Sequence, residues 1–171
     1  CKVLPTFNPR DFISMPTIRI VSASLLAAAL LVQPAMAQNK GAIAKSVNEF
    51  ITLSTGLAAT LADLNKRSEK ASPNDKEMLK LVNTQLGIVD ATADGVVALG
   101  LVASLMRDNS DLTVAKKQLA TRCAAFKTLA DPSAKYVGSL VANIAAVASA
   151  AEVKKAADLV TQMSQHELCK A

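Results

Sequence analysis

The sequence predicts an all-α fold, an antiparallel bundle of four to five helices that follows a cleaved N-terminal signal peptide. Three observations carry this expectation. Beyond residue 37 the apolar residues recur at intervals of three and four, which is the period of an amphipathic helix. The same region holds two prolines, Pro73 and Pro132, each beside a residue suited to capping a helix. The chain of 171 residues is 51% hydrophobic and 3% aromatic, a composition that excludes a disordered or collagen-like chain and leaves room for about one domain.

Met15 reads as a start. It is followed by the basic Arg19, an uncharged apolar run from Ile20 to Val32, and the triplet Ala35, Met36, Ala37. A positive segment, an apolar core and a small-x-small triplet make a secretory signal peptide cleaved after Ala37. The run is shorter than the roughly 20 apolar residues of a membrane span, so stable membrane insertion is not expected. Gln38 stands where a lipoprotein would need Cys. Residues 1–14 read as an upstream, non-native or untranslated-region segment, residues 15–37 as the signal peptide, and residues 38–171 as a single helical-bundle domain that is periplasmic or secreted.

In that domain Ile43, Val47, Phe50, Ser54, Leu57, Leu61 and Leu64 step alternately by four and three, which keeps them on one stripe of a helix expected over about 42–66. Ser72, Pro73, Asn74 and Asp75 then supply a capping hydroxyl, a proline where no amide donor is needed, and an acid in the first turn. The helix they open carries Val82, Leu86, Val89, Ala93, Val96, Gly100 and Ala103 in the same alternation, with Leu81, Ile88, Leu99, Val102 and Met106 widening the apolar face. A third helix is expected from the cap at Asn109, Ser110 and Asp111 to Asp131, with Leu112, Ala115, Leu119, Cys123, Phe126 and Ala130 on its stripe. Asp131 and Pro132 then read as the cap and first residue of a fourth.

Cys123 and Cys169 remain after processing, and an even number in an oxidising compartment favours a disulfide. A straight helix from Pro132 to Leu168 would forbid it, because Cys123 lies about 12 Å before the turn and Cys169 would lie about 55 Å after it. Ser149, Ala150, Ala151 and Glu152 match a capping box and offer a break that returns Cys169 towards Cys123. The stretches 95–106 and 137–151 carry no charge and are expected at the centre of the bundle. Gly87, Ala91 and Gly95, with Ala142, Ala145 and Ser149, form rows of small residues suited to close helix approach.

Chemistry-bearing residues are sparse. His166 is the one histidine and stands near the chain end, where a solvated residue beside a helix C-terminus is the simplest reading. It is also a weak ligand candidate, with Met78 or Met106 as the second ligand of a b-type haem. Covalent haem attachment is excluded because no Cys-x-x-Cys-His occurs. Asp90 and Asp94, four apart on one helix, could hold a cation, but a solvated face is the simpler reading. No Gly-rich phosphate loop or zinc spacing is present. Of the 19 basic and 14 acidic residues, 16 and 13 fall after residue 37, leaving a mild +3 interleaved along the chain, which does not suit a nucleic-acid binder. Phe50, Phe126 and Tyr136 are contact anchors if exposed. The reading that results is a non-enzymatic periplasmic bundle without cofactor that acts by contact with a protein partner. Its alternative is a carrier of a small hydrophobic ligand or haem within the bundle, and a filled core against an apolar cavity separates the two.

Overall fold

A computed structural model of the protein describes residues 38–106 and 109–170, and the segments read as upstream sequence and signal peptide lie outside the described residues. Four helices pack against one another: α1 (Gln38–Lys70), α2 (Pro73–Leu105), α3 (Asn109–Leu140) and α4 (Val147–Ser164). Short 3-10 turns, Val141–Asn143 and Glu167–Cys169, precede and follow α4. Each helix packs on the next in sequence, and α4 closes the ring against α1, while α2 and α4 touch little across the diagonal. Two-residue and similarly short connections make successive neighbours antiparallel.

The interior follows the heptad stripes. Val47, Phe50, Leu57 and Leu64 of α1 are fully buried, as are Val82, Leu86, Val89, Ala93 and Val96 of α2. Phe126, Ala130 and Val137 of α3 and Val153, Ala156, Val160 and Met163 of α4 complete the core. Each large side chain of this set contributes about 1.5–3 kcal/mol by leaving water. Hydroxyls that fall inside are answered by their own helix: Thr60 Oγ1 donates to the Gly56 carbonyl at 2.9 Å and Ser68 Oγ to that of Asn65 at 2.7 Å.

α1 extends about one turn beyond the expected range at each end. Its last turn carries Arg67 and Lys70, which favour the negative end of the helix dipole. α2 starts as expected, with Ser72 Oγ accepting the N–H of Asp75 at 3.3 Å and Pro73 at the first position. α3 begins at Asn109 but does not stop at Asp131: it runs through Pro132 to Leu140. The reason is packing. Cys123, Phe126, Ala130, Ser133, Val137 and Leu140 continue one buried stripe in steps of three and four across the proline, and this outweighs the one backbone hydrogen bond that proline removes. Gln85 Nε2 of α2 donates to Ser133 Oγ at 2.8 Å beside it.

The break in the last segment also differs in place. It falls at residues 141–146, not at Ser149, and α4 starts at Val147 with no side-chain cap from its own residues. The cap comes from α2: the buried carboxylate of Asp75 accepts the N–H groups of Ala145 at 3.0 Å and Ala146 at 3.1 Å. The uncharged stretch 137–151 is therefore a corner of the bundle. Ile144 turns inward, whereas Val147 is 83% exposed.

Of the small-residue rows, Gly87 has open space around it, and at Gly95 the neighbour is the guanidinium of Arg122. The glycine that permits close approach between elements is Gly100. A Cβ there would lie 2.8 Å from Val47 Cγ2 of α1 and 3.5 Å from Leu168 Cδ2.

Candidate functional site

The chain end is built into the fold. Cys123 of α3 and Cys169 are joined by a disulfide with their Cα atoms 5.2 Å apart, and both are buried. The break before α4 makes this possible by returning the chain to the end of the bundle where α3 passes Cys123. Lys127 Nζ donates to the Cys169 carbonyl at 2.8 Å, and Leu168 covers Gly100.

His166 belongs to this end and is not a solvated residue in a frayed tail. Its side chain is 12% exposed, and its Nδ1 accepts the N–H of Leu168 at 3.2 Å, capping the Glu167–Cys169 turn. Nε2 lies 3.6 Å from Glu49 Oε2, and the ring stands edge-on to Phe50 with centroids 5.7 Å apart. Phe50 in turn stands edge-on to Phe126 at 5.8 Å. Both ring nitrogens thus face groups of the chain, so iron ligation through either would displace an existing contact. Met78 is 22 residues before Gly100 on α2, placing it about 33 Å from the His166 end. Met106, half-buried, lies just past the end of α2 nearer to His166.

Asp90 and Asp94 share a helix but not an environment. Asp90 is 8% exposed, whereas Asp94 is exposed, so the expected solvated pair is one buried and one surface carboxylate. Among the described residues no three His, Cys, Asp or Glu side chains gather closely enough to hold a metal ion. Of the three candidate anchors, Phe50 and Phe126 are fully buried core residues and Tyr136 is 47% exposed on α3.

Surface concavities border α3 among the described residues. A groove of about 900 Å³ between α3 and α4 is lined by Lys127, Lys135, Lys154 and Lys170, with Asp131 and Asp158 among them. Lys154 holds Asp158 at 2.6 Å and Lys170 holds Glu167 at 2.7 Å, so much of its charge is answered locally. A shallower depression of about 680 Å³ lies between α2 and α3, bordered by Leu99, Val114 and Arg122.

The feature that sequence reasoning missed lies next to that depression. Leu81, Ile88, Val102 and Leu105 of α2 are 46%, 52%, 42% and 74% exposed, and Val114 of α3 is 58% exposed. Of the residues expected to widen the buried face, Leu81, Ile88 and Val102 instead point outward while Leu99 and Met106 are half-buried, and the stretch 95–106 is buried along one side only. Among the described residues α2 is also the one helix long and apolar enough to cross a membrane by length and composition. No protein-family model, curated protein or solved structure matches the chain.

Proposed function

We propose that this chain is an exported, non-enzymatic helical bundle that works by contact with another protein, and that the outer face of α2 makes the contact. The observation that carries the reading is the exposure of Leu81, Ile88, Val102 and Leu105 on one helix of a bundle whose core is already filled by Phe50, Phe126, Leu57 and Met163. Surface apolar residues scattered singly are ordinary, whereas large apolar side chains exposed along one helix mark an interaction site. Export to the periplasm is supported by the signal-like segment 15–37 and by the disulfide, which persists in oxidising compartments.

Two measurements test the reading. Native mass spectrometry of the protein from its own host is expected to show a chain beginning at Gln38 without bound lipid, haem or metal. A bound ligand would replace the contact reading by the carrier. A photo-crosslinking residue placed at Ile88 in the living cell is expected to give a discrete protein adduct, and the absence of any adduct would overturn the contact reading.

A further inference from the structure

Imidazole is the side chain that ordinarily changes charge between pH 5 and 8, and this chain has one, on His166. Both of its ring nitrogens are engaged at the end of the bundle. Nδ1 accepts the N–H of Leu168 at 3.2 Å and so caps the turn Glu167–Cys169, which requires a lone pair at that nitrogen. The single proton of the neutral ring therefore sits on Nε2, 3.6 Å from Glu49 Oε2 of α1. The ring is 12% exposed and stands edge-on to Phe50, with centroids 5.7 Å apart.

We infer that His166 is an acid-sensitive latch: neutral, it holds the C-terminal turn on the bundle, and protonated, it lets the turn go. The second proton, taken up from solvent, lands on Nδ1 and sets one N–H against another. Imidazolium has two donors and no acceptor, so no rotation of the ring restores the cap. Leu168 is 5% exposed, and a buried amide without an acceptor is costly. The turn regains a partner for that amide by lifting into solvent.

The charges around the ring do not reverse this. Glu49 attracts the cation, but Nε2 offers it a proton in both forms, its side chain is half-exposed, and Lys45 lies 3.9 Å from its other oxygen. Glu167, on the turn itself, is held by Lys170 at 2.7 Å. On α3, Lys127 donates to the Cys169 carbonyl at 2.8 Å and opposes a second positive charge nearby, while Arg122 is turned to Gly95. The neighbouring parts of α2 and α4, residues 95–105 and 159–165, carry no charge.

Release is local and tethered. Cys169 stays joined to Cys123, so the turn lifts without leaving, and it uncovers the seat of Leu168 over Gly100 beside Val47. That surface is apolar: Leu168, Val47 and Phe50 are all buried while the latch is closed. The opposite end of the bundle, where Asp75 accepts the N–H groups before α4, holds no part of the latch. The latch is independent of the contact reading above, since it acts through His166 whatever the outer face of α2 meets.

The test is NMR of the isotope-labelled chain between pH 8 and 5, the range over which imidazole titrates. At the upper end the ring nitrogen shifts are expected to place the one proton on Nε2. Protection of the Leu168 amide, corrected for the intrinsic pH dependence of exchange, is expected to fall about tenfold or more on acidification, the effect of one buried donor losing its acceptor. The fall is expected to follow the titration of the His166 ring, while the amides of Leu57 and Leu86, away from the turn, keep their protection. His166→Asn places an uncharged oxygen near the position of Nδ1 and cannot take the proton, so Leu168 is expected to stay protected across the range. A neutral ring protonated on Nδ1, a Leu168 amide indifferent to pH, a fall that departs from the ring titration, or a fall that persists in His166→Asn would each overturn the latch.

Discussion

The carboxylate of Asp75 accepts the backbone N–H of Ala146 at 3.1 Å from 71 positions away in the chain, and its other oxygen accepts that of Ala145 at 3.0 Å. Asp75 sits in the first turn of α2 and Ala146 immediately before α4, so one buried carboxylate lies at the positive ends of two helix dipoles. α4 has no capping side chain of its own, and this contact fixes where the chain turns after α3. Asp75→Asn keeps one acceptor oxygen but removes the charge and places an amide where an acceptor is needed. It is expected to lower stability by about 1.5–3 kcal/mol, the range of hydrogen bonds to a charged group, measured as a shift of the urea midpoint at unchanged slope.

Glu167 gives the second expectation. Its hydrogen bond to Lys170, with the ammonium's charge and a smaller contribution from His166, holds its carboxyl below the ordinary value near 4.5. The contribution of this pair is present above the pKa of an unfolded-state glutamate and is lost as the pH falls through the lower folded value. Because Glu167 is exposed, the effect on stability is screened and small. A carboxyl titration followed by NMR is expected to place the midpoint of Glu167 below the ordinary glutamate value, and Lys170→Ala is expected to raise it towards that value.

How much of this was legible in the sequence depended on whether the deciding contact was local. The stripe Val47, Phe50, Leu57, Leu64 and the buried stripe of α2 came from spacing alone, as did the Ser72 cap, because period and capping act within a few residues. Pro132 misled because local chemistry makes Asp131-Pro132 a helix start. The contrary signal was present in the same stretch: Ala130, Ser133, Val137 and Leu140 keep the stripe in phase across it. The start of α4 could not be found at all from its own residues, since its cap is Asp75. At the candidate site, the Cys123–Cys169 pairing followed from parity and compartment. The exposed apolar face of α2 was hidden because an apolar run without charge reads equally as a buried helix or as one awaiting a partner, and only the placement of α1 and α3 distinguishes them.

Two glycines of one helix are expected to respond differently to alanine. Gly87 has nothing within 4 Å of an added Cβ, so Gly87→Ala gains the helix propensity of alanine without cost, about 1 kcal/mol of added stability. At Gly100 the added Cβ would meet Val47 Cγ2 at 2.8 Å, and Val47 is stiff and fully buried. Overpacking of about 1–3 kcal/mol then offsets or exceeds the propensity gain, so Gly100→Ala is expected to be neutral to destabilising. Paired urea unfolding curves of the two variants check the signs.

The disulfide between Cys123 and Cys169 closes a loop of 46 residues, worth roughly 4 kcal/mol in the chain-entropy account. Joined as a disulfide, the two sulfurs present no thiol to an alkylating reagent, and their burial shields the bond from reductant, so labelling is expected only once the chain is unfolded and reduced. The bond also anchors what lies beside it: Leu168 over Gly100, the carbonyl held by Lys127, and the His166 ring against Phe50. Replacing both cysteines by alanine is therefore expected to act in two ways. Global stability falls by about 2–4 kcal/mol. Amide exchange rises first at Leu168 and Lys170 and at the α1 turn containing Val47 and Phe50, while the opposite end, held by Asp75, keeps its protection. Hydrogen exchange by NMR separates the two effects. Uniform loss of protection along all four helices would show that the bond stabilises only through the unfolded chain and that the C-terminal turn holds its place without it.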